Sequence, residues 1–441
     1  MKNLIFFLKN YIFRHSTIDI AKKSIHLKKL DHDSKKQFSN RKMFDIFDYA
    51  KKNSSFYAKK YMRVEINQNF TTNDWENIPI LEKNEIRENQ ESMICAKKRN
   101  LKKITTGGST GAPLVVYHDK RFCDEVIGWE ILKSWGLSPS CNKAFIFRIT
   151  RKSLIKKILN FIIWYPTRRC FLNAAEITDS SMAEFACQLN TLKPPLLQGY
   201  IGGIMEFAKY CERQNLIFDF IKVIWSTSSP LSKSNKKYLE STLKAKVYDQ
   251  YGTSEIFWIA AECKNQIGLH VHDEYRFVEI VDDKGKNVDT GVYGDIVVTD
   301  LYNYAFPLIR YRIGDRGRYL DYKCDCGIDS PILDTIKGRT TDNLKLPSGR
   351  TVSGEFLTTI FDDKPDAVKG FQIYQHSNYN IDLNCILGNG EKSKEICNQK
   401  KIYIEGLLDH EVSVNIKYLQ KIDHYAGKTK YIISDIKERT L

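Results

Sequence analysis

The period of apolar and polar positions changes three times along this chain. Up to about residue 100, apolar residues recur at helix-like spacing, and a charge-rich run from Leu30 to Tyr61 carries Phe44, Phe47, Tyr57 and Tyr61 on that period. Such spacing gathers the aromatics on one helix face, where core packing explains them better than a cofactor does. Asn77-Ile78-Pro79-Ile80-Leu81 breaks the pattern, and Glu82-Lys83-Asn84-Glu85 opens another short helix. Strands and helices then alternate: a helix over 122–135 ended by Gly136, a buried strand over 144–149 and an apolar helix over 151–165. Further on come a helix at 182–192, a strand at 196–199, a helix at 200–215, a strand at 220–226, a helix at 230–245 and a strand at 247–251. This alternation predicts an α/β architecture with a largely parallel sheet. From Val271 the pattern becomes alternating strands at 276–281, 294–299 and 308–312, with a hairpin turn at Asp282-Asp283-Lys284-Gly285. A last change comes near Gly338. The expected organisation is a core over 1–337, with a mainly helical segment over 1–100, a hinge near 338–342 and a small α+β domain over 343–441.

Bulk properties narrow the function classes. A chain of 441 residues is long enough for two or three domains. Its formal charge of +15 is spread along the chain. A basic surface suits nucleic acid, an anionic membrane or anionic small molecules; a lysine-rich proteome is the blander account, and no nucleic-acid partner is expected. Eleven scattered cysteines, an odd number, point to reduced thiols in a cytoplasm. Lys2 followed by Leu4 to Leu8 looks like the start of a signal peptide, but Lys9 cuts the apolar run short and no small-residue cleavage site follows. No run is long enough to span a bilayer. The helix over 151–165, with Arg168 and Arg169 behind it, offers a peripheral contact to the inner face of a membrane. The commoner alternative is a packed helix with a solvated basic end.

Candidate chemistry begins with Thr105-Thr106-Gly107-Gly108-Ser109-Thr110-Gly111-Ala112-Pro113, set between two β-type runs. Glycine allows a sharp turn and close approach to a ligand, and hydroxyls beside free N–H groups form an anion nest. A nucleotide polyphosphate fits. No Lys-Ser/Thr follows the last glycine, so this is no Walker A loop, and alone it reads equally well as a hairpin loop. Three further clusters shift that balance. Tyr251-Gly252-Thr253-Ser254-Glu255 offers a flat ring for a base, and a hydroxyl and carboxylate for phosphate and magnesium. Tyr311-Arg312-Ile313-Gly314-Asp315 puts a carboxylate after a glycine turn, where it can accept ribose hydroxyls. Gly338-Arg339-Thr340-Thr341-Asp342 lies at the domain junction.

In this order the four clusters resemble the adenylate-forming superfamily of acyl-CoA synthetases, adenylation domains and luciferases. The nearest likeness is to its phenylacetate–CoA ligase branch and the CapK-type proteins of capsule and O-antigen gene clusters, over roughly residues 75–441. The resemblance implies a large multi-sheet α/β adenylation domain with a small mobile C-terminal domain. It implies a phosphate loop at Thr106, Gly107, Gly108, Ser109, Thr110 and Gly111, although Gly107 replaces a usual hydroxyl and Leu114 stands where many members carry lysine. It puts Ser254 at the α-phosphate, Glu255 on magnesium, and Tyr251 on the adenine with Gly252 beside it. Ser228 and Ser229, before Pro230, would edge the adenine; Asp315 would hold the ribose and Arg339 the ribose or phosphate. The hinge position falls on Thr341, where the family carries aspartate or lysine, with Asp342 adjacent. Lys428 would bridge carboxylate and α-phosphate, with Lys430 as runner-up. Tyr200, Gly202 and Trp225 lie in segments that line the family's acyl pocket.

Cys263, His270 and Cys324-Asp325-Cys326 suit a four-ligand structural zinc site, which takes Cys₃His sets with tetrahedral geometry. His272 competes with His270, since both fall on one face of an alternating strand. Members of the phenylacetate–CoA ligase branch often show a similar arrangement. The implied activity is ATP-dependent adenylation of a carboxylate, giving acyl-AMP and pyrophosphate. Transfer to CoA, or to an amine or hydroxyl of a sugar, would follow in surface polysaccharide work. ATP, magnesium and CoA are thus the implied small molecules. The alternative is an adenylyltransferase that leaves AMP on a coenzyme or sugar hydroxyl. A non-enzymatic scaffold with a decayed core sits poorly with the presence of Glu255, Asp315 and Lys428.

Overall fold

The computed structural model describes the chain except residues 1, 14, 29, 106–113, 123, 149–159, 228–230, 337–342, 354–356, 358–359, 362, 365, 389, 391, 423–430 and 437–441. It has two compact units: residues 1–139 with 250–336, and residues 140–249 with 337–441.

The first unit begins with α1 (Lys2–Phe13), α2 (His15–Leu27), α3 (His32–Asn53), α4 (Ser55–Lys60), α5 (Thr72–Glu76) and α6 (Lys83–Asn89). Side-chain caps start several of them. Asp31 accepts the Ser34 N–H, Ser54 the Tyr57 N–H, and Thr71 and Asp74 cap each other. Such caps satisfy first-turn donors that have no partner within the helix. Phe47, Tyr57 and Tyr61 are buried, with Phe47 and Tyr57 stacked on Tyr61 at 5.1 and 5.2 Å. β1 (Leu101–Thr105) and β2 (Val115–Asp119) pair antiparallel. α7 (Glu125–Ser134) follows, and Gly136 takes a positive φ of 76° just beyond it.

In the second unit the chain alternates β3 (Lys143–Phe147), β4 (Arg169–Asn173), α8 (Asp179–Leu192), β5 (Leu196–Tyr200), α9 (Ile201–Arg213), β6 (Val223–Thr227), α10 (Lys233–Leu243) and β7 (Lys246–Tyr251). These strands pair parallel in the order β4-β3-β5-β6-β7. Phe185, Ile204, Phe207 and Leu239 of the helices share one buried cluster with Ile146, Leu197 and Ile224 of the strands. Burial under helices suits the mostly buried strands β5 and β6, while β3 and β4 bury alternate residues. Of the helix expected over 151–165, residues 160–164 are described and helical.

The chain re-enters the first unit inside β7. There follow β8 (Ala260–Glu262), β9 (Leu269–Val271), β10 (Arg276–Val281), β11 (Gly294–Asp300), β12 (Tyr311–Gly317) and β13 (Ile332–Leu333). The end of β7, β8, β9 and β13 make antiparallel pairs, and β10-β11-β12 form an antiparallel sheet. The second unit then gains β14 (Asn343–Lys345), β15 (Thr351–Ser353), β16 (Val368–Gln375), β17 (Ile381–Leu387), α11 (Ser393–Leu407), β18 (Val414–Tyr418) and β19 (Ile432–Ser434). Four of these make a sheet in the order β18-β17-β16-β19. The whole is α/β, as expected.

One strand differs from its sequence reading. The run expected over 308–312 is extended only from Tyr311, because Arg310 has a left-handed φ of 47°. A non-glycine residue there needs compensation from its surroundings. Arg310 finds it in five partners. Its guanidinium donates to the carbonyls of Glu76, Ile78 and Gly285 at 2.7–2.8 Å and pairs with Glu279 at 3.0 Å, both side chains being 1% exposed. Its backbone N–H donates to Thr299 Oγ1 at 3.0 Å. Burial pushes the Glu279 carboxyl above its usual range, and Arg310 opposes that shift. Arg310→Met should therefore destabilise by about 3–5 kcal/mol, since Glu279 is left buried without its partner. The double variant Arg310→Met/Glu279→Leu should lose less than the single one, read as urea midpoints.

Candidate functional site

Of the residues expected at a nucleotide, Thr106, Gly107, Gly108, Ser109, Thr110, Gly111, Ser228, Ser229, Arg339 and Lys428 lie outside the described residues, as do the hinge positions Thr341 and Asp342. Tyr251, Gly252, Ser254, Glu255 and Asp315 are described, and all belong to the first unit.

Tyr251 ends β7, and the next seven residues form a tight loop. Thr253 N–H donates to the Ile256 carbonyl at 2.9 Å, and Ile259 N–H closes the loop on the Tyr251 carbonyl at 2.9 Å. Gly252 is required here: an added Cβ would stand 2.7 Å from the Trp258 backbone nitrogen. Asp315 reaches the same place from β12. Between Asp295 and Val297 of β11 the register slips, so that Ile313, Gly314 and Asp315 face the single residue Ile296. Gly314 takes the positive φ of 92° that the bulge requires. The bulge re-aims Asp315, whose Oδ2 accepts the Tyr251 hydroxyl at 2.9 Å across 64 residues of sequence. A tyrosine ring and a carboxylate held together suit the base and the ribose of a nucleoside.

Glu255 sits in the same loop and is 5% exposed. Lys83 Nζ stands 3.4 Å from its Oε1, and the Tyr311 hydroxyl lies 3.5 Å from that oxygen. Tyr311 starts β12 and Lys83 starts α6; the bridge between Leu81 and Tyr311 sets the two segments side by side. The carboxylate thus has the chemistry of an oxygen ligand for magnesium.

Sequence reading missed two side chains that hold the loop. His118 of β2 contacts the Ser254 carbonyl through Nε2 at 3.0 Å, and because a carbonyl only accepts, that nitrogen carries the proton. His118 Nδ1 faces Asp124 Oδ2 at 3.7 Å. Arg276 grips the Phe257 carbonyl at 3.2 and 3.3 Å while pairing with Asp124 and Asp300 at 2.7 Å each. Burial works against the Asp124 carboxylate, but His118 and Arg276 hold it below the ordinary range. A signal for His118 exists in the sequence: it stands five residues past the glycine loop, on a strand whose far end meets the second motif.

The proposed zinc ligands also come together. The ligand atoms of Cys263, His270, Cys324 and Cys326 lie within 4.8 Å of one another. Antiparallel pairing of β8 with β9 sets Ala261 opposite His270, and the turn before β13 delivers Cys324 and Cys326. Cys263 Sγ to Cys324 Sγ is 3.7 Å, and Cys326 Sγ to His270 Nε2 is 3.5 Å. Tetrahedral zinc with Zn–S of about 2.3 Å and Zn–N of about 2.0 Å requires separations of about 3.8 and 3.5 Å. Backbone N–H groups of Asn265 and Ile328 reach the sulfurs of Cys263 and Cys326 at 3.4 Å, as thiolates need. Burial pushes the Cys263 thiol up to about 12, and a divalent cation would offset that. His272 stands outside the cluster, and burial pushes it down to about 3.

No family model matches the chain. Protein CapK of Staphylococcus aureus is 23% identical over 413 residues, spanning 91% of this chain and 89% of that protein. A phenylacetate-coenzyme A ligase of Thermus thermophilus is 31% identical over 151 residues, 33% of this chain and 34% of the ligase. Among solved structures, 2-hydroxyisobutyryl-CoA ligase in the postadenylation state superposes with a TM-score of 0.72 at 17% identity, covering 90% of this chain and 89% of the ligase. At that identity the likeness is one of fold.

The cluster geometry carries a prediction. The purified chain should contain about one zinc ion, as a Cys₃His site binds. Cys326→Ser should lose it and lower the thermal midpoint by several degrees, because metal binding to the folded state adds to stability. Metal analysis with a thiol titration checks this: three readily alkylated ligand cysteines and no zinc would remove the site.

Proposed function

This chain is a homologue of CapK and of the phenylacetate-coenzyme A ligases, on the fold of an acyl-CoA ligase of the adenylate-forming superfamily, and on that premise we propose that it is an adenylate-forming ligase. A carboxylate oxygen attacks the α-phosphorus of ATP, the bond to the β-phosphate breaks, and pyrophosphate leaves. A thiol, amine or hydroxyl then attacks the acyl carbon of the acyl-AMP and AMP departs. The acceptor is CoA or a sugar of surface polysaccharide. The observation that supports this reading is the hydrogen bond between Tyr251 and Asp315, which brings two distant motifs together close to Glu255.

In this reading Tyr251 stacks on the adenine and Asp315 accepts the ribose hydroxyls. Ser254 faces the α-phosphate, and His118 keeps its backbone in place. Glu255 holds magnesium, which neutralises phosphate charge. Lys83 shares the oxygen that the ion would take and would turn to phosphate as the ion binds. The loop 106–111, Ser228, Ser229 and Arg339 complete the nucleotide contacts. Lys428 stabilises charge as pyrophosphate leaves. Residues 343–441 act as a domain that rotates about 338–342 between the half-reactions. Zinc on Cys263, His270, Cys324 and Cys326 is structural: Cys263 directly follows β8, which pairs with Tyr251 through Ala260. Among the described residues no helix is long and apolar enough to cross a membrane. A peripheral contact of a cytoplasmic protein with the inner membrane face belongs to the same proposal.

ATP–pyrophosphate exchange over a panel of carboxylic acids tests the reaction. At least one acid should support exchange, and AMP should be released when acceptor is added. AMP retained on a hydroxyl product, with no acid supporting exchange, would assign the chain to adenylyl transfer instead. Glu255→Gln and Lys428→Ala should each cost about 10²-fold or more in exchange rate. His118→Ala should cost about tenfold, as loss of one hydrogen bond does, with most of the effect in the KM for Mg·ATP.

A further inference from the structure

The outward face of α1 has no use in the chemistry above. Leu4, Leu8, Tyr11 and Ile12 are 70, 54, 48 and 61% exposed. At 3.6 residues per turn these four fall within an arc of about 100°. Phe6 and Asn10, on the opposite side, are buried. That inner side is anchored: Phe6 and Phe7 meet the Trp129 ring at 5.3 and 6.1 Å, and Ser138 donates to Asn3 at 2.6 Å. The helix is therefore seated on its own unit and still presents a second apolar strip to the outside. An ordinary surface helix buries its apolar stripe and shows a polar one. Contiguous exposed apolar strips mark interaction surfaces.

Charge names the partner. Residues 1–30 contain seven lysines and arginines against one acid, Asp19. Lys22 and Lys23 of α2 are exposed, and Lys22 Nζ lies 5.9 Å from the Tyr11 ring centroid, beside the strip. Exposed Ile25 of α2, 49% exposed, extends the apolar surface. With 12 residues, α1 reaches about 18 Å, too short to cross a bilayer. An apolar strip flanked by basic residues on a short helix suits the interface of an anionic membrane, with the aliphatic side chains among the acyl chains and the lysines at the headgroups.

We infer that the exposed face of α1, with the lysines of α2, seats this protein on an anionic lipid surface. The inference gives a place to the membrane contact proposed above and does not depend on the ligase chemistry. Co-sedimentation of the full chain with vesicles tests it, using phosphatidylcholine alone or with about 30% phosphatidylserine, at about 0.1 M salt. Anionic vesicles should take up the chain at least tenfold better than neutral ones. Leu4→Glu/Leu8→Glu should reduce that uptake about tenfold while leaving the thermal midpoint and vesicle-free exchange activity unchanged. Amides of α1 should gain hydrogen-exchange protection on vesicles and those of α3 should not. Equal uptake by both vesicle types, undiminished uptake by the variant, or no uptake at all overturns the inference. So does a dimer that the variant splits while vesicles are ignored, which would give the face to a second copy of the chain. Loss of exchange activity on its own would bear on the ligase reading and leave this one standing.

Discussion

The buried ion pair between Arg310 and Glu279 is the constraint on which the first unit depends. A guanidinium is planar and always charged, and it can be buried only where acceptors surround it. Here the acceptors come from three separate stretches: the end of α5 with the residues just after it, the hairpin turn at Gly285, and Glu279 of β10. Satisfying one side chain therefore fixes the relative placement of all three. The left-handed backbone at Arg310 is the local cost of that arrangement. It also sets where β12 begins, with Tyr311 beside Glu255 and Gly314 at the bulge that turns Asp315 toward Tyr251.

The loop from Tyr251 to Trp258 is held at three points by different physics. Its ends are closed by the backbone bond from Ile259 to Tyr251. Its middle is gripped through carbonyls, by His118 at Ser254 and by Arg276 at Phe257. Its far strand continues into the hairpin that carries Cys263 and His270. Side-chain donors acting on backbone carbonyls fix the loop without engaging the side chains of Ser254 or Glu255 themselves.

Much of this was legible before any fold was known. Helices with strong periodicity, such as those at 182–192 and 200–215, lie where their apolar spacing puts them, because a helix buries one face and records that face in its sequence. The alternation of strand and helix over 140–251 carried the parallel sheet for the same reason. Glycine was informative at Gly252 and Gly314, where backbone geometry admits little else. The reading was weaker where a residue acts through the backbone. His118 and Arg276 grip carbonyls, and a carbonyl leaves no mark on the sequence of its partner.

By itself the sequence determined the element types, the order of the motifs and the ligand chemistry of three thiols and an imidazole, all of which rest on local periodicity and residue identity. It could not choose between His270 and His272, since alternation gives them the same face. Tertiary structure decided it: β9 ends at Val271, so the alternation stops before His272, and only His270 meets the sulfurs. It could not pair Tyr251 with Asp315 either. That contact depends on a bulge and on a charge buried at Arg310, long-range constraints that exist only once the chain has closed on itself.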